Sequence, residues 1–493
     1  MHEHDVIVVG KGNAALCSAL SAREFGVRVA VLEAASEDES GGNSRFAGGV
    51  MRFAYANVED LQRVTELTAE EIATTDFGTN TREDFLDTLY RLTSYRTDAE
   101  LSDILVSQSL DVMAWLRGKG VRFIPNYGRQ SGMVNGRRVF FGNMPIEVSG
   151  GGAGLVQFLD KAAAREGIDV FYNTRVQSLI YDGERVSGVR ARQDGKVTEF
   201  RAKSVVLACG GFEANPEMRT RYLGPGWELA KVRGTRFNQG DGLKMALDIG
   251  AAPYGNWSGC HATGWDRNAP EFGDVSVGDQ FQKHSYIFGL LINADGKRFV
   301  DEGYDFHAFT YAKYGGELLK QPGQFAWQVF DAKAKDHLRS EYRIKMMTKV
   351  TANTLEELAP KLEGVNAVGF LKTVREYNAA VRTDIPFEKA VKDGKGTVGI
   401  EPPKSNWAQT LDTPPFDAYM TTCGITFTFG GLRIDRENGQ VLDVHLNPIP
   451  GLYCAGEMVG GLFYFNYPSG TGLVSGAVFG KIAGAGAASA SRG

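Results

Sequence analysis

Residues 5–34 are the segment that most constrains what this chain can fold into. They read DVIVVGKGNAALCSALSAREFGVRVAVLEA, in which a run of β-branched residues leads into small residues and then into a helical pattern. A second apolar run ends at Glu33, 23 residues after Gly10. A strand, a glycine-rich turn, a helix and a strand that ends on an acid are typical of the first βαβ unit of a dinucleotide-binding domain. The segment therefore predicts an α/β fold of Rossmann type.

The turn in this segment has the pattern G-x-G-x-x-A, formed by Gly10, Gly12 and Ala15. Gly10 allows a tight turn, and Gly12 lets backbone N–H groups meet a pyrophosphate at the helix N-terminus, where the dipole favours negative charge. The carboxylate of Glu33 can accept hydrogen bonds from ribose hydroxyls. The alternative interpretation is a glycine-rich turn in an ordinary α/β domain, but the position of the acid favours a nucleotide. The motif alone does not separate NAD from FAD.

Three later stretches favour FAD. The first, SGGNSRFAGGVMRF at 40–53, has two Gly-Gly pairs, so its backbone can fold closely around a flat or phosphorylated ligand. In the second, RAKSVVLACGGFEANP at 201–216, a buried strand ends in Cys-Gly-Gly-Phe. The third, at 447–488, contains a strand that ends in Gly456-Glu457, a Gly-rich loop and a helix from about Leu473. The N-terminus of that helix is a second site suited to an anion.

The chain of 493 residues is too long for one compact core and is expected to form two domains from three segments. Residues 1–251 form the first part of an FAD-binding domain, with helices at 54–122 and an inserted β-meander joined by DGER and QDGK turns. Residues 252–415 are richer in aromatics and charge and predict a mobile α+β capping domain. Residues 416–493 return to the FAD-binding domain and end in a Gly/Ala/Ser tail that is expected to fray.

Composition limits the classes of partner. The chain carries 54 basic and 59 acidic residues, for a net charge of −5, so nothing in its charge favours nucleic acid or an anionic membrane. None of its five cysteines forms a C-x-x-C pair, so zinc, iron–sulfur and c-type haem sites lack their ligand spacing and no metal is expected. An odd, scattered set of cysteines suits a reducing compartment. With no apolar run judged long enough for a membrane span, we expect a cytoplasmic protein without stable membrane insertion.

These motifs, in this order along the whole chain, resemble the flavoprotein family of succinate dehydrogenase and fumarate reductase. The stretches NQGDGLKMALDIGA (238–251) and INADGKRFVDE (292–302) also match that family. Within it, GGNSRFAGGVMRF, RFVDEG and FTFGGLRID most resemble FAD-dependent tricarballylate dehydrogenases. The resemblance implies an FAD domain with a cap that closes over the flavin ring, and hydride exchange between flavin N5 and a substrate carbon. Membrane-bound members attach FAD through a His near the Gly-Gly loop, where this chain has Ser44-Arg45, so we expect non-covalent FAD.

The motifs and the resemblance together give the expected FAD contacts. Among them, Glu457 is expected to bond ribityl hydroxyls, and Asp241 has either a polar role near the cofactor or the role of a helix N-cap. The complete set is Gly10, Gly12, Asn13, Ala14, Ala15, Glu33, Ala34, Gly41, Gly42, Asn43, Ser44, Gly48, Gly49, Val176, Ala208, Cys209, Gly210, Asp241, Gly456, Glu457, Thr471, Gly472, Leu473 and Val474.

The chain departs from fumarate reductases at positions that bear charge. The family's H-T-x-G-G motif begins here with Phe427, and the C-terminal loop that carries a substrate Arg in that family has Tyr467 instead. The segment that carries the proton-donating Arg reads GYDFHAF, with His307. Because two carboxylates in a dry pocket need compensating cations, fumarate and succinate are disfavoured as substrates.

An aromatic, Tyr-rich site instead resembles the more distant 3-ketosteroid dehydrogenases. There a Tyr hydroxyl and a backbone N–H polarise a carbonyl, and Tyr467 with the Gly470 amide is the corresponding candidate pair. His307 or Tyr304 is the candidate base. The alternatives are a packed aromatic for Tyr467 and a hydrogen-bonded structural imidazole for His307.

Further candidates line the expected substrate site. His261 lies where the family places a substrate His, and Thr426, Tyr464 and Gly470 are weaker candidates for substrate contacts. Four arginines are candidates to hold a carboxylate, although a solvated surface is the commoner place for an arginine. They are Arg45, Arg129, Arg233 and Arg236.

The leading hypothesis is an FAD-dependent dehydrogenase that desaturates a C–C bond next to a carboxyl or carbonyl group of a small carboxylate or ketone, with the proton passing to a Tyr or His base. The alternatives are an ene reductase or fumarate-reductase-like enzyme that works in the reducing direction, a 3-ketosteroid dehydrogenase-like desaturase, and an FAD electron-transfer subunit. With no haem or iron–sulfur ligands in the sequence, electrons are expected to pass to a quinone, a carrier protein or oxygen.

Overall fold

The computed structural model describes residues 2–492 as two large sheets with helices packed on them. The strands are β1 (His2–Val9), β2 (Val29–Leu32), β3 (Thr75–Asp76), β4 (Phe123–Pro125), β5 (Ser131–Val134), β6 (Arg137–Phe140), β7 (Ile146–Val148), β8 (Asp169–Phe171), β9 (Thr174–Tyr181), β10 (Val186–Gln193), β11 (Lys196–Leu207), β12 (Lys231–Val232), β13 (Pro253–Asp266), β14 (Leu290–Ile292), β15 (Phe325–Phe330), β16 (Lys349–Ala352), β17 (Phe416–Leu432), β18 (Gln440–Leu442) and β19 (Pro448–Cys454).

The α-helices begin with the one that follows the glycine-rich turn. They are α1 (Asn13–Arg23), α2 (Val58–Val64), α3 (Ala69–Thr74), α4 (Arg82–Leu92), α5 (Ala99–Gly118), α6 (Tyr127–Gln130), α7 (Gly151–Arg165), α8 (Pro216–Leu223), α9 (Asp241–Asp248), α10 (His307–Leu319), α11 (Leu355–Leu358), α12 (Ala367–Ala380) and α13 (Thr471–Arg492). Short 3-10 helices lie at Gly42–Phe46, Trp227–Leu229, Ser285–Phe288, Pro322–Gln324, Ala332–His337, Ser340–Tyr342, Ala359–Lys361 and Gly456–Met458.

The first sheet contains the N-terminal motif at its centre. Its strand order is β18-β19-β11-β1-β2-β8, and the five strands from β19 to β8 run parallel. Ile7 of β1 pairs with Val205 on one side and Ala30 on the other, and all three side chains are fully buried because helices cover the sheet. The antiparallel strands β9 and β10 extend from β11 and form the predicted β-meander. The α/β fold of Rossmann type is confirmed.

Helix α13 packs directly against α1. Gly480 and Gly484 of α13 face the backbone of α1, where an added Cβ at Gly484 would overlap the Ser18 carbonyl oxygen. The Gly/Ala/Ser tail that was expected to fray continues this helix to Arg492. Helices α1 and α13, which are far apart in the sequence, therefore pack together on one side of the nucleotide-binding domain.

The expectation that no apolar run is long enough to span a membrane was wrong for α13. Among the described residues, this helix of 22 residues passes that test by length and composition, with a mean hydropathy of 1.3 over its most apolar window. In the fold, 61% of that window is buried, and core helices of soluble proteins pass the same test. Its small residues pack against α1, which explains why the run is apolar without requiring a bilayer.

The second sheet combines strands of the predicted capping segment, 252–415, with β12 and β17. Its order is β12-β17-β15-β14, with β13 and β16 also paired to β17. The long strand β17 pairs with β13 through residues such as Phe427 opposite His261. The predicted domain boundaries remain a prediction, although this pairing joins residues 416–432 to the sheet of the predicted capping segment 252–415.

Candidate active site

A nucleotide-sized cleft of about 120 Å³ lies at the carboxyl ends of β1, β2 and β11. Gly10 adopts a φ of 100° at the turn, and a Cβ there would lie 2.6 Å from the Ala208 carbonyl oxygen, so only glycine fits. The N-cap of α1 is Gly12, which offers no capping side chain, so the N-terminus of α1 opens onto the cleft. This arrangement suits a pyrophosphate.

Two acidic residues predicted to serve the cofactor line this cleft. Glu33 is buried and accepts the backbone N–H of Ala35 at 2.8 Å, and burial raises the pKa of its carboxyl. Asp241 accepts two hydrogen bonds from Arg175, at 2.7 and 3.0 Å. The N-cap of α9 is Gly240, so Asp241 is not the N-cap residue that the alternative interpretation required.

A second cavity of about 190 Å³ adjoins the cleft. The two spaces share a group of lining residues at their junction, namely Asn13, Ala14, Asn43, Ser44 and Glu457. Gly472 and Leu473, in the first turn of α13, line the second cavity, and the buried Thr471 hydroxyl beside them has no partner within the protein. An elongated space between two helix N-termini, with an acid at one end, fits an FAD whose nucleotide occupies the cleft and whose ring occupies the cavity.

Most of the expected FAD contacts line one of these two spaces. They are Gly10, Gly12, Asn13, Ala14, Glu33, Ala34, Gly42, Asn43, Ser44, Gly48, Gly49, Val176, Ala208, Cys209, Gly210, Asp241, Gly456, Glu457, Gly472 and Leu473. The other four lie behind the walls: Ala15, Thr471 and Val474 are fully buried within helices, and Gly41 is packed against Val156.

One wall of the second cavity is aromatic. The His261 ring stacks on Phe427 with centroids 5.2 Å apart and meets the rings of Tyr311 and Tyr467 edge-on at 4.9 and 5.1 Å. The Tyr467 hydroxyl oxygen accepts the backbone N–H of Gly472 at 2.9 Å. Burial raises the pKa of Tyr467 far above its ordinary value, so the phenol stays protonated.

The same cavity is lined by three arginines, two of which the sequence singled out. Arg233 is buried and donates two hydrogen bonds to Oδ1 of Asp279, at 2.8 and 2.6 Å. Arg129 lies 3.9 Å from Oδ2 of the same carboxylate. Arg339, which the sequence did not single out, donates to Nε2 of His307 at 2.6 Å and to the Arg129 carbonyl oxygen at 3.2 Å. Arg339 also lies 4.0 Å from the buried carboxylate of Glu341, so Arg129 and Arg339 are both held to their acidic partners at longer distances than Arg233 is.

Three buried imidazoles also line this cavity. Burial, reinforced by nearby arginines, lowers the pKa values of His261, His284 and His307 well below 6.5, so all three are neutral at pH 7. Nε2 of His307 accepts from Arg339, and Nε2 of His284 is hydrogen-bonded to the Thr263 hydroxyl at 2.7 Å. Nδ1 of His261 has no partner within the protein.

The structure brings together His261, His307, Thr426, Tyr467 and Gly470 around this cavity. It does not bring Tyr304 or Tyr464 to it. Tyr304 is 58% exposed, with Lys313 over its ring, so its assignment as the base is corrected. Tyr464 is not among the residues that line the cavity; burial, and then the charge of Asp98, raises the pKa of its phenol.

One pairing stays a prediction and one expectation needs correction. Tyr467 and Gly470 both line the cavity, so their action as a pair on a substrate carbonyl remains a prediction, with the hydroxyl held by Gly472. Arg45 and Arg236 lie outside the cavity: Arg45 donates to the carbonyl oxygens of Asp38 and Ser40, and Arg236 donates to Glu39 on the surface. No group of three or more His, Cys, Asp or Glu in residues 2–492 is arranged to hold a metal ion.

Similarity to known proteins identifies the family of this chain. The sequence profile of the family described as FAD binding domain matches residues 5–473. The chain belongs to the FAD binding domain family. FAD is thus its cofactor, and the protein is an FAD-dependent oxidoreductase of the kind that acts on CH–CH groups.

The names of the relatives in this family indicate different substrates. A probable fumarate reductase Ifc3 of Shewanella frigidimarina is 32% identical over 98% of this chain and 74% of its own length. A 3-oxosteroid 1-dehydrogenase of Mycobacterium tuberculosis is 29% identical over 68% of this chain and 62% of its own length. Among solved structures, the open conformation of a flavocytochrome c3 fumarate reductase has a TM-score of 0.75 and 28% identity, over all of this chain and 79% of that one.

Proposed function

We propose that the protein oxidises the C–C single bond next to the carboxyl group of a small carboxylic acid to a C=C bond. The observation that carries this proposal is that Arg129 and Arg339 line the same cavity as the Tyr467 hydroxyl and the His261 ring. A carboxylate brought into so enclosed a space needs cations, and Arg129 and Arg339 are held to their acidic partners only at 3.9 and 4.0 Å.

Arg129 and Arg339 are the groups best suited to bind the carboxylate. Arg233 is already committed to Asp279 through two hydrogen bonds. Arg339 is held in place by His307 and by the Arg129 carbonyl oxygen, so its guanidinium is preorganised at the cavity wall. An arginine fixed in this way loses little side-chain freedom when it binds a carboxylate.

Bound FAD supplies the two-electron acceptor that removes hydride from the β-carbon. The protein handles the proton on the neighbouring carbon, and we assign its acceptance to the imidazole of His261, which is neutral and lines the cavity. The Tyr467 hydroxyl, fixed by the Gly472 N–H, can donate to the carboxyl oxygen as charge builds there. His307 is less suited to act as the base because Arg339 already occupies its Nε2 lone pair.

Anaerobic stopped-flow mixing tests this proposal. Oxidised holoenzyme is mixed with tricarballylate, with 4-oxocyclohexanecarboxylate and with a 3-ketosteroid, and the flavin absorbance is followed. We expect one of the two carboxylates to reduce the flavin and so to bleach its absorbance. Bleaching by the 3-ketosteroid alone would replace this substrate class by a neutral ketone, and the absence of bleaching by any of them would contradict desaturation.

The reducing direction is the second candidate, because the relative at 32% identity is named a probable fumarate reductase. The same residues then deliver a proton to an enoate. Reoxidation of dithionite-reduced protein by an unsaturated carboxylate, without bleaching of the oxidised form by its saturated product, would favour this direction.

An FAD electron-transfer subunit is disfavoured because it has no need of the buried basic and aromatic cavity under the cap. In the desaturating direction the external acceptor is a quinone, a carrier protein or oxygen, and the cytoplasmic location remains a prediction.

A further inference from the structure

Two buried carboxyl groups face each other behind the junction of the cleft and the cavity. Glu213 is fully buried; its Oε1 accepts N–H groups from Asn43 at 2.6 Å and Asn238 at 2.5 Å. Its Oε2 has no donor within the protein. Glu457 accepts the backbone N–H of Thr428 at 2.7 Å and the hydroxyl of that residue at 3.1 Å. Glu457 also lines both the cleft and the cavity.

No cation neutralises this carboxyl pair. In the part of the chain that the structure describes, no ion pair includes Glu213 or Glu457, although 30 ion pairs are formed elsewhere. The titratable groups that interact electrostatically with Glu213 are Glu457, Arg219 on α8 and Cys260 on β13. Arg219 donates to main-chain carbonyl oxygens, including that of Glu213, and Arg233 donates to Asp279.

The side chains of Glu213 and Glu457 lie within hydrogen-bonding reach of each other, which requires a proton on one of the two carboxyl groups. Burial, followed by the charge of Glu457, raises the pKa of Glu213 well above its ordinary value, and burial also raises that of Glu457. Two carboxylates at such close range in a low dielectric do not both ionise. The protonated Glu213 donates to Glu457, which leaves a single negative charge on the pair.

We propose that Glu213 and Glu457 form a redox-linked proton site, which holds one proton when FAD is oxidised and binds a second when FAD is reduced. The proposal rests on FAD as the cofactor and not on the substrate class. Glu457 lines the cavity, so a negative charge that appears there on reduction acts on the pair through a poorly screened interior.

Charges and atoms balance in this step. Dithionite supplies two electrons, the reduced ring takes one proton and carries one negative charge, and the carboxyl–carboxylate pair takes one proton from solvent to become two neutral carboxyls. The ring and the pair together carry one negative charge before and after reduction. The interior therefore avoids holding two uncompensated anions side by side.

The pH dependence of the FAD midpoint potential counts these protons without any substrate. Each proton taken up per two electrons lowers the potential by about 30 mV per pH unit. For the wild-type holoenzyme across about pH 6 to 8 we expect two protons per two electrons. Glu457→Gln is expected to give one, because the amide removes the carboxylate that takes the second proton, while the buried carboxyl of Glu213 keeps its own proton in both redox states.

Glu199→Gln, on the surface of the β-meander, is the matched control and is expected to keep the wild-type count. If Glu457→Gln does not retain FAD, infrared difference spectroscopy of the wild-type protein tests the same proton uptake. A new carbonyl band of a protonated carboxyl, shifted in D₂O, is expected on reduction. A wild-type count of one proton, an unchanged count in Glu457→Gln, or the absence of that band would overturn the proposal.

Discussion

The hydroxyl oxygen of Tyr467 accepts the backbone N–H of Gly472 across the first turn of α13. The helix N-terminus thereby fixes the phenol at the cavity wall, with its O–H free to point inward. Burial holds the pKa of this phenol far above its ordinary range, so Tyr467 acts as a hydrogen-bond donor and not as an anionic base at neutral pH.

Replacement of Tyr467 by Phe removes this donor while the ring stays packed between His261 and Phe463. We expect the rate of flavin reduction by substrate to fall by about 10²-fold or more, as for the loss of one oxyanion donor. Stopped-flow absorbance measures this rate. Tyr95→Phe, at an exposed position, is the control and should keep the wild-type rate; a loss of less than threefold in Tyr467→Phe would remove the residue from the mechanism.

Arg339→Gln tests the carboxylate site. The amide can still donate to His307, so the local hydrogen bond survives while the positive charge is lost. We expect the Kd of a carboxylate ligand, read from the flavin spectrum, to rise by about 30-fold or more, in line with the loss of one partner of a buried charge pair. Arg63→Gln, which removes a surface charge paired with Asp111, should leave the Kd unchanged. An equal Kd in all three proteins would place the carboxylate elsewhere.

The three buried imidazoles predict acid sensitivity. Their folded-state pKa values lie below 6.5, so as the pH falls below 6.5 the unfolded chain binds protons that the folded protein does not. Stability is then lost as the pH falls, by up to about 1.4 kcal/mol per pH unit for each residue. Urea unfolding at several pH values should show a shallower acid decline for His284→Asn. The exposed His445→Asn is the control, and parallel curves for His284→Asn and wild type would contradict the prediction.

The close contact between α1 and α13 predicts that the glycine at position 484 is needed for stability. A methyl group at Gly484 would overlap the Ser18 carbonyl oxygen, so Gly484→Ala is expected to lower stability by about 1–3 kcal/mol and to weaken FAD retention on gel filtration. Gly118→Ala is the matched control, since the end of α5 offers open space at this position and alanine favours helix. Equal melting temperatures for Gly484→Ala and wild type would show that the helices can separate at little cost.

FAD is expected to be held without a covalent bond. The loop at 41–49 contains no His, Cys or Tyr that could form one there, and Ser44 instead accepts the backbone N–H of Asn13. Acid precipitation should release all the flavin into the supernatant. Yellow colour or flavin fluorescence that remains with the washed pellet would contradict this, and mass spectrometry of tryptic peptides would then identify the attachment residue.

The nucleotide half of the site could be predicted from sequence because local rules dictate it. Gly10 lies where the turn requires a positive φ, and Gly12 lies at a helix start without a capping side chain. Glu33 lies at the end of the adjacent parallel strand. The spacing of the three residues in the sequence is therefore enough to predict their positions. The α13 contribution was predictable for the same reason, since a glycine-rich helix start follows a buried strand.

The substrate half was predicted only in part because its residues come from distant segments. Arg339 lies in DHLRSEY, which carries no motif, and reaches His307 only through the packing of the cap. Tyr304 and Tyr464 look equivalent to Tyr467 in sequence, but only Tyr467 faces the cavity. The loss of family charges at Phe427 and Tyr467 suggested an uncharged site, whereas Arg129 and Arg339 supply positive charge from other positions.

The packing of the last helix onto the first has a consequence for how the protein is made. The βαβ unit is synthesised long before α13, so the surface that α13 covers stays bare until translation has passed residue 471. During that interval the nascent chain exposes an apolar face of α1. A stop codon within α13 is therefore expected to lower the yield of folded protein, because α1 would lose the helix that covers it.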